Sequence, residues 1–138
     1  MIHDEIVTYE VAKLAKEKGF DEECGEFYCE DKSQKRITRI SCNRHVTSFD
    51  YCTNSMLEDY YPPHEYCYIA APTQSLLQRW LRKEKGIIVI PYYRSVLRMW
   101  SATYEFTSPC TFKDLRKCFK TYELALEDAL KYALENLV

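Results

Sequence analysis

Leu97-Arg98-Met99-Trp100-Ser101-Ala102-Thr103-Tyr104-Glu105-Phe106 is the stretch that decides the fold. Trp100, Ala102, Tyr104 and Phe106 fall on one side and Ser101, Thr103 and Glu105 on the other, the period of two that a strand shows when one face lies on a core. Just upstream, the β-branched run near 87–93, Ile87 to Tyr93, forms a second strand and meets the strand near 97–106 in a hairpin carrying Arg94 and Arg98. Pro91 has no N–H to give to a ladder, which puts part of that run on a sheet edge or at a bulge. A short third strand falls within Thr111 to Phe119, where helix and strand readings compete.

Helices flank this core. Pro72 and Thr73 open one near 74–85, with Leu76, Leu77, Trp80 and Leu81 on its buried face and Gly86 at its end. Thr121 caps another near 122–137, whose Tyr122, Ala125, Leu126, Ala129, Leu130, Ala133, Leu134 and Leu137 repeat at steps of three and four. A third, near 9–18, is delimited by Thr8 as N-cap and by Gly19, with Phe20 folding back on Ala15. Between them the signals weaken. Residues 36–42 favour a strand, with His45 to Phe49 as its hairpin partner, and Tyr60 to Tyr66 around Pro62-Pro63 form a connecting loop. The whole predicts an α+β single domain: a small, mainly antiparallel sheet with helices packed on one side.

The 138 residues, 46% hydrophobic with 3 Gly, suffice for one core. A net charge of −2 excludes a histone-like basic protein and an acidic disordered tail. No apolar run approaches the ~20 residues of a membrane span, and the N-terminus has no signal core, so a soluble cytoplasmic protein is expected. Seven cysteines, an odd number, fit reduced thiols better than a complete disulfide framework.

Charge is uneven along the chain. Residues 1–72 carry 8 basic and 14 acidic side chains, residues 73–120 carry 10 and 3, and residues 121–138 carry 1 and 4. The basic middle third offers Arg79, Arg82, Lys83 and Lys85 on one helix and Arg94 and Arg98 at the hairpin, with Tyr92 and Tyr93 placed to stack on bases. Those residues are candidates for contact with a partner, either protein or nucleic acid; the competing reading is a solvated face neutralised by the acidic segments. Tyr60, Tyr61 and Tyr66 are candidates for a protein interface, since tyrosine offers large area at low rotamer cost. Cys24, Cys29, Cys42 and His45 can be drawn as a zinc site, against buried thiols as the plainer reading. No catalytic signature or glycine-rich phosphate loop is present, so no enzyme and no cofactor is expected.

Ala71-Pro72-Thr73-Gln74-Ser75-Leu76-Leu77-Gln78-Arg79-Trp80-Leu81-Arg82, with Ala12 to Phe20 before it and Lys120 to Glu127 after it, resembles a family of small uncharacterised proteins of gut Bacteroidales bacteria and their phages. The cysteines between positions 24 and 67 depart from that pattern. The resemblance implies an accessory protein associated with a phage or mobile element, in the host cytoplasm, and it carries over no functional residue. The order helix, strand, strand, strand, helix from Thr73 to Val138 also resembles, in topology, the double-stranded RNA-binding domain. There a lysine-rich start of the last helix contacts phosphates; here Glu123, Glu127 and Asp128 stand in that region and would repel them.

Overall fold

The structure, a computed structural model, describes residues 4–42, 50–61, 65–107 and 110–138. In these residues the chain is α+β, with four helices and two three-stranded antiparallel sheets. It divides into two compact units, Ile6–Thr73 and Gln74–Val138, the latter joined by Asp4 and Glu5. The strands expected in one sheet are thus shared between two.

The first unit contains α1 (Tyr9–Glu17), β1 (Glu26–Asp31), β2 (Arg36–Ser41), α2 (Asn54–Tyr60) and β3 (Tyr66–Ala70), with sheet order β2-β1-β3. The ends of α1 follow the sequence signals: Thr8 Oγ1 accepts from Val11 N, and Gly19 takes a positive φ of 96°. Phe20 N then donates to Ala15 O at 2.9 Å and Gly19 N to Lys16 O at 3.1 Å, which closes a Schellman turn. Alternation along β1 sends Tyr28 and Glu30 to one face and Phe27 and Cys29 to the other. Tyr9 of α1 meets Tyr28 edge-on, at 5.7 Å between ring centres, and donates to Glu30. On the opposite face Phe27 packs near Tyr68, which stacks on Tyr61 at the end of α2 at 4.2 Å. Helices therefore lie on both faces of this sheet. The partner of β2 is β1, which precedes it; His45 to Phe49, expected in that place, lie outside the described residues.

The second unit has the order α3 (Gln74–Glu84), β4 (Ile87–Arg94), β5 (Met99–Thr107), β6 (Cys110–Asp114) and α4 (Tyr122–Asn136), with strands in sequence order. β6 makes a strand of the first part of the ambiguous stretch, up to Asp114; Leu115 to Cys118 are irregular, and Phe119 forms an isolated bridge with Trp100. In register, Ile87, Val89, Ala102 and Tyr104 share one face, and α4 covers it with Leu126, Leu130 and Leu134, all 2% exposed or less. Burying each leucine contributes about 2 kcal/mol. Tyr104 stacks on Tyr132, and Trp100 meets Tyr122 edge-on. Gly86 ends α3 at a φ of 66°, where a Cβ would meet Thr107 Oγ1 at 2.7 Å, so no other residue fits that junction without displacing Thr107.

The register also explains Pro91. Thr107 N donates to Gly86 O, so even-numbered residues of β4 face β5 and odd-numbered ones face outward. Pro91 is odd, and its missing N–H falls on the outer edge, as its chemistry requires.

Candidate functional site

Both units carry a hairpin built on one plan. β1 and β2 are joined by Lys32-Ser33-Gln34-Lys35, and β4 and β5 by Ser95-Val96-Leu97-Arg98. In each, the last loop residue is basic and left-handed, Lys35 and Arg98 both at a φ of 53°. The turns are held differently. Asp31 Oδ1 accepts from Ser33 N at 3.0 Å, Ser33 Oγ at 2.7 Å and Gln34 N at 3.3 Å, which holds its carboxyl below the usual carboxylate range. The other turn relies on backbone alone: Leu97 N to Arg94 O at 3.2 Å and Arg98 N to Ser95 O at 3.3 Å.

The tips differ in chemistry. Where the first hairpin presents Ser33 and Gln34, the second holds out Val96 at 94% exposure and Leu97 at 50%, with Tyr93 at 50% near its foot. The strand expected near 97–106 begins at Met99 instead, so Leu97 joins Val96 in the turn. The available signal was two aliphatic residues in a turn position, where polar residues and glycine are the rule.

The basic candidates are carried by different elements of the second unit. Arg79, Arg82 and Lys83 are exposed on α3 and Lys85 just beyond its end, and none makes an ion pair among the described residues; Lys85 Nζ lies 5.3 Å from the centre of the Trp80 ring. Of the basic side chains in 73–120, Lys117 alone reaches a described carboxylate within ion-pair distance, Asp128 at 3.6 Å. Among the described residues, the other basic side chains of this segment have no carboxylate within ion-pair distance. Tyr92 and Tyr93 cannot act together as a stacking platform, because neighbours in a strand point to opposite faces. Tyr93 packs against Trp100 on the α4 face, while Tyr92 donates to Asp114 at 2.6 Å. That bond raises the Tyr92 phenol and is the leading reason the Asp114 carboxyl is lowered. Arg94 Nη1 reaches Cys118 Sγ at 3.7 Å, and Arg98 is exposed at the tip.

The tyrosines expected in a loop sit on regular elements: Tyr60 ends α2, Tyr61 caps it and Tyr66 begins β3. Tyr61 is tied down by its stack on Tyr68, whereas Tyr60 and Tyr66 remain exposed.

The cysteines sort by position. Cys24 and Cys52 exchange backbone hydrogen bonds, Cys42 N donates to Gly25 O, and Cys42 Sγ lies 3.1 Å from Cys52 Sγ. Burial pushes the Cys24 thiol up to about 12 and raises Cys42 and Cys52 as well, so all three are protonated at neutral pH. Cys29 is not with them; it lies further along β1, paired in register with Tyr68. Of the drawn zinc set, only Cys24 and Cys42 come together, joined by Cys52, and His45 lies outside the described residues. Among the described residues no group of three or more His, Cys, Asp or Glu side chains is placed to hold a metal. Nor is any described helix long and apolar enough to cross a membrane. Compared with protein-family models, curated proteins and solved structures, the chain matches none.

Proposed function

We propose that this is a non-enzymatic binding protein that recognises another protein through the tip of the β4–β5 hairpin. The observation that carries the reading is the pair of hairpins. Lys32-Ser33-Gln34-Lys35 spans a loop of the same length, ending in a basic left-handed residue at the same position, with polar residues, so a loop of this length does not require valine and leucine at positions 96 and 97. Holding two aliphatic side chains in water gives up the burial that stabilises them elsewhere, and a partner would restore it. A fixed turn also limits the ordering cost of binding. The occupant that fits is a protein with an apolar pocket for Val96 and Leu97 and carboxylates at its rim for Arg98. The likeness of three segments to proteins of Bacteroidales and their phages is in keeping with an accessory role in a mobile element.

A photo-crosslinking residue at position 96, in the cells that make the protein, tests this reading. A discrete protein adduct from position 96 that is missing from position 33 supports it. Equal adducts from both positions, or none, refute it.

One observation favours a second reading. The unpaired Arg79, Arg82 and Lys83 on α3 suit phosphates, and binding to nucleic acid there would fall steeply with salt. A mobility shift at low ionic strength that disappears with Arg79→Glu and Arg82→Glu combined would establish it.

A further inference from the structure

The two outer edges of the second sheet are treated differently. On β4, Pro91 presents no donor, and Gln78 Nε2 of α3 donates to Val89 O at 2.6 Å, so this edge offers little to an added strand. On β6 the opposite edge has no strand partner among the described residues. Leu115 N donates to Ala102 O, so residues 111, 113 and 115 face β5, and Phe112 turns its N–H and C=O outward. Phe112 is itself 64% exposed.

Beside this edge lies a groove of about 570 Å³ lined by Phe112, Lys113, Asp114, Leu115, Arg116 and Tyr132. Its one carboxylate is already engaged: Asp114 accepts from the Tyr92 hydroxyl and from Arg116 N at 2.9 Å. Lys113 and Arg116 are exposed and make no ion pair among the described residues. The cavity therefore combines two exposed cations, two aromatic rings and a strand edge that has no partner among the described residues; the Arg116 charge also helps to lower the Asp114 carboxyl.

We infer that the outer edge of β6 takes up an extended acidic peptide segment of a partner protein as a fourth strand. Main-chain hydrogen bonds to Phe112 give the affinity in such an arrangement, and alternate side chains of the guest give the selectivity. Carboxylates on one face of the guest meet Lys113 and Arg116, and apolar residues on the other meet Phe112. A second copy of β6 is a poor guest, because it would set Lys113 and Arg116 against themselves. The surface is separate from the hairpin tip, and either can fail without the other.

The test uses the full chain and a short blocked peptide of alternating valine and glutamate. Binding is followed by fluorescence anisotropy, and amide hydrogen exchange reads which backbone groups become protected. The expected result is saturable binding with new protection at Phe112, and about tenfold weaker binding both of the lysine counterpart and of a peptide N-methylated at alternate residues. Phe112→Pro copies the device of Pro91 on the edge side and should abolish binding. Should that variant not fold, Lys113→Glu reads the same site, by reversing the preference between the glutamate and lysine peptides. No saturable binding, equal binding of the N-methylated peptide, protection confined to residues 95–98, or dimerisation of the free protein through β6 would each overturn the inference.

Discussion

The two hairpins share a loop length and a left-handed basic residue at the same position, yet one ends in serine and glutamine and the other in valine and leucine. In the first, side-chain chemistry serves the fold: Asp31 collects three donors, and Ser33 and Gln34 supply them. In the second, the backbone closes the turn without help, and the side chains at its tip touch solvent. A position released from structural duty and still occupied by aliphatic residues is a stronger pointer to binding than exposure by itself, since scattered exposed hydrophobes are ordinary.

The largest effect should come from making the second tip like the first. Val96→Ser with Leu97→Gln is expected to weaken the captured partner about a hundredfold, in the range of a paired hot spot, with the melting temperature unchanged. A matched loss of melting temperature would show that the tip serves folding. Next, Asp31→Ala should loosen the first turn, because it removes the acceptor that Ser33 and Gln34 share, and should speed hydrogen exchange at both. Arg94→Ala, at the equivalent position, should leave the second turn closed, since that turn uses only the Arg94 carbonyl. Hydrogen exchange at Ser33, Gln34, Leu97 and Arg98 distinguishes the two.

Acid should separate the hairpins in the same direction. The Asp31 pKa is depressed in the folded chain, so its contribution is complete above the ordinary carboxylate value of about 3.9 and is lost as pH falls through the lower, folded value. Exchange at Ser33 and Gln34 should accelerate in that window before exchange at Leu97 does. The smallest effect should be common to both turns: Lys35→Gly and Arg98→Gly each relieve one left-handed residue and should stabilise by about 1 kcal/mol or less. A marked difference between them would mean that the two turns are not equivalent.

The second unit was the more legible in sequence, for a physical reason. In β5 the residue types alternate, with Trp100, Ala102, Tyr104 and Phe106 towards α4 and Ser101, Thr103 and Glu105 on the other face, even though Ser101 and Thr103 are buried too and the Ser101 hydroxyl donates to Lys117 O; Pro91 marks its own edge. In the first unit, helices on both sides of β1 remove that alternation: Phe27 and Tyr28 are adjacent and both buried. β1 and β3 were missed for that reason, and α2, at seven residues, is too short to show a period. The candidate site was legible only in part. Composition located the basic segment, but Tyr92 and Tyr93 fall on opposite faces, and Val96 and Leu97 gain meaning only beside the turn that does without them.

The central claim is that the hairpin tip buries apolar surface on a protein partner. Its most direct test is the heat-capacity change of binding, measured by calorimetry at several temperatures for the cross-linked partner once identified. The account predicts a negative value for the native chain that shrinks together with affinity in Val96→Ser, Leu97→Gln. The same heat-capacity change and the same affinity in both proteins would contradict it.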